Sequence, residues 1–145
     1  MSKNKIILIA CLIFLLPIVM IGCSSKEEKI LPKIPDEAIE MAKDQIKGDS
    51  IGDTSIQIKD DEIILSVITS PAVNEKFSKD VGERFARLLA TFTATINKDV
   101  DLEPPSNENL GRIYDYYDLQ IIVGSGFNNV VGHGAKAAGS RVLVW

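Results

Sequence analysis

Three residue types in this chain could together cleave an ester or amide bond: Ser50, an aspartate (Asp115 or Asp118) and His133, met in the order serine, acid, histidine. Ser50 lies in Gly48-Asp49-Ser50-Ile51-Gly52, which fits the G-x-S-x-G spacing by which a sharp turn presents a serine to its substrate. Such chemistry needs the histidine to take the hydroxyl proton and the carboxylate to orient the histidine. His133 is the only histidine, so any set of this kind must use it. The flanks argue against it. A nucleophile turn joins a strand to a following helix, whereas here a helix is expected to run into the motif and a strand to leave it. Gly48 then serves as the helix stop, and Asp49, Gly52 and Asp53 as turn formers. Ser50 reads as a loop serine, and a small serine hydrolase using Ser50 and His133 stands as the enzymatic alternative.

Other clusters give less. His133 sits in "GHGAK" on an expected strand, where flanking glycines permit close backbone approach but also mark bulges. Zinc of the usual nitrogen and sulfur ligation has no second histidine to use, and no metal or cofactor is expected. Asp99, Asp101 and Glu103 offer alternate carboxylates, but Pro104 stands where a calcium loop needs glycine, so a solvated acidic loop is the better reading. Gly124-Ser125-Gly126 lacks the lysine and the following helix of a phosphate loop and reads as a hairpin turn. Tyr114, Tyr116 and Tyr117, with His133 and Trp145, form the candidate binding surface, because aromatic side chains bury area while keeping a polar handle. Aromatics are equally favoured in strands, where alternate residues face core and solvent.

The elements that must position these residues follow from periodicity. Pro35 in a first turn, Asp36 and Glu37 at the positive dipole end, Lys43 and Lys47 at the other and Gly48 as the stop predict a helix whose inner face carries Ile39, Ala42 and Ile46. "TSIQIK", the turn Asp60-Asp61 and "EIILSVIT" predict a hairpin. After Ser70-Pro71, Phe77, Val81, Phe85, Leu88, Phe92 and Ile96 recur at helical steps and predict a long amphipathic helix. Residues 98 to 111 contain Pro104-Pro105 and many polar residues, the signature of a long surface loop, which could also sense a ligand or cation. "YDYYDLQIIVG" places Tyr117, Leu119, Ile121 and Val123 on one side of a strand, "VVGHGAKA" can pair back, and "RVLVW" offers a fifth strand. The order α-β-β-α-β-β predicts an α+β domain: a small antiparallel sheet of four to five strands with two helices on one face.

The N-terminus carries the most specific signal. Lys3 and Lys5 precede an uncharged run from Ile6 to Ile21 that contains Pro17 and is shorter than the roughly 20 residues a membrane span needs. Met20-Ile21-Gly22-Cys23, followed by "SSKEEK", resembles the lipobox of bacterial lipoproteins. The resemblance covers about the first 25 residues. It implies cleavage of a signal peptide at residues 1–22 and diacylglycerol attachment to Cys23. The polar stretch after Cys23, which carries Pro32 and ends at Pro35, reads as a lipidated tether over residues 23–34, and the length of 35–145 suits a single domain, expected to stand anchored outside the cytoplasmic membrane. The layout is similar to that of small lipoproteins of Gram-positive envelopes; where an outer membrane exists, Ser24 is compatible with export to it. Cys11 lies within the apolar run, so the mature domain has no cysteine for an internal disulfide.

The formal charge is −4, and losing Lys3 and Lys5 makes the remainder more acidic. That disfavours nucleic acid, which demands a basic footprint. The expected function is therefore a non-enzymatic binding or assembly module of the cell envelope. Its expected partners are the membrane, through Cys23, and another envelope protein.

Overall fold

The computed structural model describes residues 29–48, 50–126 and 129–145. The expected signal peptide, Cys23 and the first part of the expected tether lie outside the described residues. The packed domain begins at Leu31, four residues before the Pro35 boundary expected from sequence. Ile34 is buried, the Pro32 carbonyl accepts the Tyr117 hydroxyl at 3.0 Å, and the Lys33 carbonyl accepts Asn97 Nδ2 at 2.7 Å. A segment whose carbonyls are bonded from two other elements belongs to the fold, not to the tether.

Helix α1 spans Asp36–Ile46, with Asp36 and Glu37 in its first turn and Lys43 in its last, as the helix dipole favours. Strands β1 (Ile51–Lys59) and β2 (Glu62–Thr69) pair antiparallel around the two-residue turn Asp60-Asp61. Asp60 takes φ 54°, the left-handed conformation that aspartate tolerates better than most residues. Helix α2 spans Glu75–Ile96 and starts where the Asn74 side chain accepts the Phe77 N–H at 2.9 Å. A turn of 3-10 helix over Arg112–Asp115 leads into β3 (Asp118–Ser125), and β4 (Val130–Lys136) returns beside it.

The sheet order is β1-β2-β3-β4, but the central pair is parallel, with Ile63 beside Leu119 and Val67 beside Val123. This corrects the antiparallel expectation. A 22-residue helix is about 33 Å long, so it carries the chain back along the sheet, and β3 must then run in the same direction as β2. "RVLVW" does not form a full fifth strand. Only Val144 bridges to Ala135, by N–H to carbonyl bonds of 2.8 and 2.9 Å.

One face of the sheet is the core. Ile63, Leu65 and Val67 of β2 and Leu119, Ile121 and Val123 of β3 are buried against Ala42 and Ile46 of α1 and Val81, Phe85 and Leu89 of α2. The deepest line of α2 also includes Ser78, Gly82, Ala86 and Ala90, while Phe77, Leu88 and Phe92 flank it half-buried. Small residues let the helix axis approach the sheet, and the larger apolar side chains spread to either side. The opposite face carries Ile64, Ile68 and Ile122, all half-buried, with Ser66, Gln120 and His133 among them.

Candidate functional site

The fold separates the residues that a hydrolase would have to unite. Ser50 precedes β1 at one edge of the sheet and His133 lies on β4 at the other, three strand spacings or about 14 Å away across the sheet. They are four residues apart along the strand direction as well, since Ser50 is level with Ser70 and His133 with Ser66. Asp118 pairs with Glu62 at the start of β2, whereas the Ser50 carbonyl accepts the Ser70 N–H just past the end of β2. Ser50 is therefore the turn serine its flanks imply.

The aromatic candidates also part company. Tyr114 and Tyr117 are core residues: their hydroxyls donate to the Ala86 carbonyl at 2.8 Å and to the Pro32 carbonyl at 3.0 Å. Burial pushes both phenols up from their ordinary range. They are corrected from a surface to structural anchors, because a buried tyrosine keeps its polar end only by finding a carbonyl. Tyr116 is half-buried, and His133 is exposed on the open face opposite Ile122. Trp145 lies against the core. Its indole packs 3.2 Å from where a β-carbon on Gly134 would stand, and Nε1 donates to Glu83 Oε1 at 3.2 Å.

What the structure does assemble is a cavity of about 460 Å³ between the loop after α2, the 3-10 turn and the segment after β4. Glu103, Glu108, Asp115, Arg112, Arg141 and Lys136 line it. Lys136 stands on the helix-facing side of β4, opposite Leu119, and is only 7% exposed. Its ammonium donates to the Tyr114 carbonyl at 2.7 Å and the Ala137 carbonyl at 3.4 Å and lies 6.0 Å from the centre of the Tyr114 ring. It takes part in none of the ion pairs among the described residues. Burial lowers its pKa, partly offset by the charges of Asp115 and Asp118. An ammonium has three N–H donors, so the two carbonyls leave one for an acceptor in the cavity. Flanked by two guanidinium groups and three carboxylates, it could bind a polar group that presents both an anionic oxygen and a donor. No pairing of a nucleophile with a base is formed there.

The loop that walls this cavity is pinned in place. Arg87 of α2 donates through Nη1 to the carbonyls of Ser106 and Asn109, the latter at 2.9 Å. Asn109 Oδ1 accepts the Gly111 N–H at 3.0 Å, and Leu102 and Leu110 are buried. Glu103 pairs with Arg112 at 3.8 Å. Asp99, Asp101 and Glu103 form no group of three suited to a metal among the described residues. Gly111 adopts φ 111°, and a β-carbon there would meet Ala90 Cβ at 2.5 Å, so only glycine lets the loop cross α2 this closely.

Sequence reasoning missed Lys136 and Arg87. A lysine near a strand end ordinarily projects to solvent, and the available signal was period two: Gly132, Gly134 and Lys136 share the face that β4 turns to the core. Among the described residues, no helix is long and apolar enough to cross a membrane. No protein-family model, no curated protein and no solved structure matches this chain.

Proposed function

We propose that this chain is a bacterial lipoprotein: Cys23 carries the lipid, and the domain stands outside the cytoplasmic membrane as a non-enzymatic binding or assembly module of the envelope. The lipobox-like segment supports the anchor, since two acyl chains hold a protein stably at a bilayer where one is marginal. The observation that carries the binding reading is the cavity around Lys136. It joins a nearly buried ammonium, held by carbonyls alone, to a charged rim on a loop that Arg87 fixes. Pre-positioned charged groups of this kind suit recognition, because little ordering remains to be done when a partner arrives.

Chemical crosslinking in intact cells followed by mass spectrometry tests it, using the full chain, Cys23→Ser, and the rim reversals Arg112→Glu and Arg141→Glu. The reading expects an envelope protein that crosslinks to the parent and is lost from both rim variants. It also expects labelled fatty acid in the parent and none in Cys23→Ser. An unchanged set of crosslinked proteins in the rim variants would remove the cavity from the function, and equal fatty-acid labelling would remove the anchor.

A further inference from the structure

The outer edge of β1 has no strand beside it among the described residues. Around the two-residue turn, Lys59 and Glu62 form a mutually hydrogen-bonded pair, so alternation directs the backbone groups of Gln57 and Ser55 toward β2 as well. The backbone groups of Thr54, Ile56 and Ile58 therefore point away from the sheet. The Thr54 N–H bears this out, since it donates to the neighbouring Asp53 Oδ1 at 2.8 Å. Proteins usually guard a free edge with proline, shortness, bulges or charged side chains. The two charges of β1, Asp53 and Lys59, are of opposite sign and so guard it against partners other than one that presents their complement. β1 is nine residues long and contains no proline, and its only bulge lies at its start, between Ile51 and Asp53.

Side chains along the edge alternate in kind. Thr54, Ile56 and Ile58 share the helix-facing side, opposite Val67, Leu65 and Ile63, and Ile58 remains 39% exposed. Asp53, Ser55, Gln57 and Lys59 occupy the other side, with a carboxylate near one end and an ammonium at the other.

We propose that β1 pairs antiparallel with β1 of a second copy of this chain, about a two-fold axis through Ile56. Backbone pairing requires Thr54, Ile56 and Ile58 to meet the same three residues of the second copy, which restricts the axis to a few positions. With the axis at Ile56, Ile56 meets Ile56, Thr54 meets Ile58, Ser55 meets Gln57, and Asp53 meets Lys59 at both ends. Moving the axis one residue either way sets Lys59 opposite Ile51 or Ser55 and loses both charge pairs. Opposite charges directly across strands stabilise a pairing and like charges oppose it, so the sequence of the edge selects this register. The two four-stranded sheets become one continuous sheet with all helices on the same side, and Ile56 and Ile58 lose their remaining exposure. Asp53 exchanges the Thr54 N–H for Lys59 of the second copy, while the Thr54 N–H passes to the Ile58 carbonyl of that copy.

Sedimentation equilibrium of the full chain in density-matched detergent tests this, comparing the parent with Asp53→Lys, Lys59→Asp and the double exchange. Both positions are exposed, so the fold tolerates each change. Each single reversal turns two attractive cross-strand pairs into two repulsive ones and is expected to weaken dimerisation about tenfold or more. The double exchange restores opposite charges and returns the dissociation constant to within about threefold of the parent. A parent that stays monomeric into the high micromolar range overturns the proposal. So does a dimer indifferent to the single reversals, or a double exchange no tighter than either.

Discussion

The indole of Trp145 fills the space that Gly82 leaves on α2: a β-carbon on Gly82 would stand 2.6 Å from indole Cη2 and 2.7 Å from Ile121 Cγ2. The last residue of the chain is thus wedged between the long helix and the glycines of β4, and the single bridge at Val144 holds it there. Gly82→Ala gains helix propensity of about 1 kcal/mol, but overpacking against two side chains costs about 1–3 kcal/mol. Urea unfolding should show a net loss of stability, and the emission of this sole tryptophan should report a shifted seat. In a Trp145→Ala background the penalty should shrink without vanishing, because Ile121 remains.

Gly111→Ala should be worse. The residue sits at φ 111° and its would-be β-carbon lies 2.5 Å from Ala90 Cβ, so conformational strain and steric overlap act together. A loss on the order of 3 kcal/mol follows from the two effects combined. Ala90→Gly should recover only part of it, since that change relieves the overlap and leaves the strain. Thermal denaturation of the single and double variants separates the two contributions.

Arg87 ties the loop to α2, and Arg87→Ala removes two charge-assisted hydrogen bonds worth about 1.5–3 kcal/mol together in a partly exposed setting. The loss should be local. Amide exchange should quicken at Ser106 and Gly111, while the central amides of β2 and β3 keep most of their protection. Arg87→Lys should recover only part of the loss: one guanidinium nitrogen makes both bonds, a task an ammonium's donors could share, but the lysine side chain is one bond shorter and does not reach both carbonyls at full length.

The buried titratable groups give opposite pH dependences. Burial raises the Tyr114 and Tyr117 phenols above their ordinary 10.0, so unfolded tyrosines release protons while the native ones hold theirs. The native state then binds more protons, and stability falls as pH rises above about 10. Burial lowers Lys136 below its ordinary 10.5, so the native ammonium loses its proton first and its contribution rises with pH on approaching that value. Urea midpoints measured from pH 7 to 11 should show the alkaline fall reduced in Tyr117→Phe. The preceding rise should be absent in Lys136→Met.

Much of the architecture was legible in local pattern. β2 runs over the eight residues of its β-branched stretch, and Asp60-Asp61 closes the hairpin as expected, because each depends on neighbours in sequence. The stripe expected on α2 was less informative: Phe77, Leu88 and Phe92 mark its borders, while Gly82, Ala86 and Ala90 mark its line of closest approach. Hydrophobic periodicity weights large side chains, whereas close packing against a sheet selects small ones. The candidate site was mostly hidden. Tyr114 and Tyr117 looked like a surface until their hydroxyls met carbonyls 28 and 85 residues away along the chain.

Local pattern in the sequence was enough for the two helices, four of the strands, the α+β class and the turn that contains Ser50; it overreached at Tyr114–Tyr117, where a 3-10 turn precedes β3, and at "RVLVW", which keeps a single bridge. Propensity and period act over a few residues, and this chain carries them clearly. Tertiary structure alone decided that β2 and β3 run parallel, that Trp145 closes the gap over Gly82 and that Lys136 faces inward beneath a pinned loop. Each of these is a contact between residues far apart in sequence. Such contacts follow from the direction in which a long helix returns the chain and from the space that glycines leave, neither of which any short window of residues records.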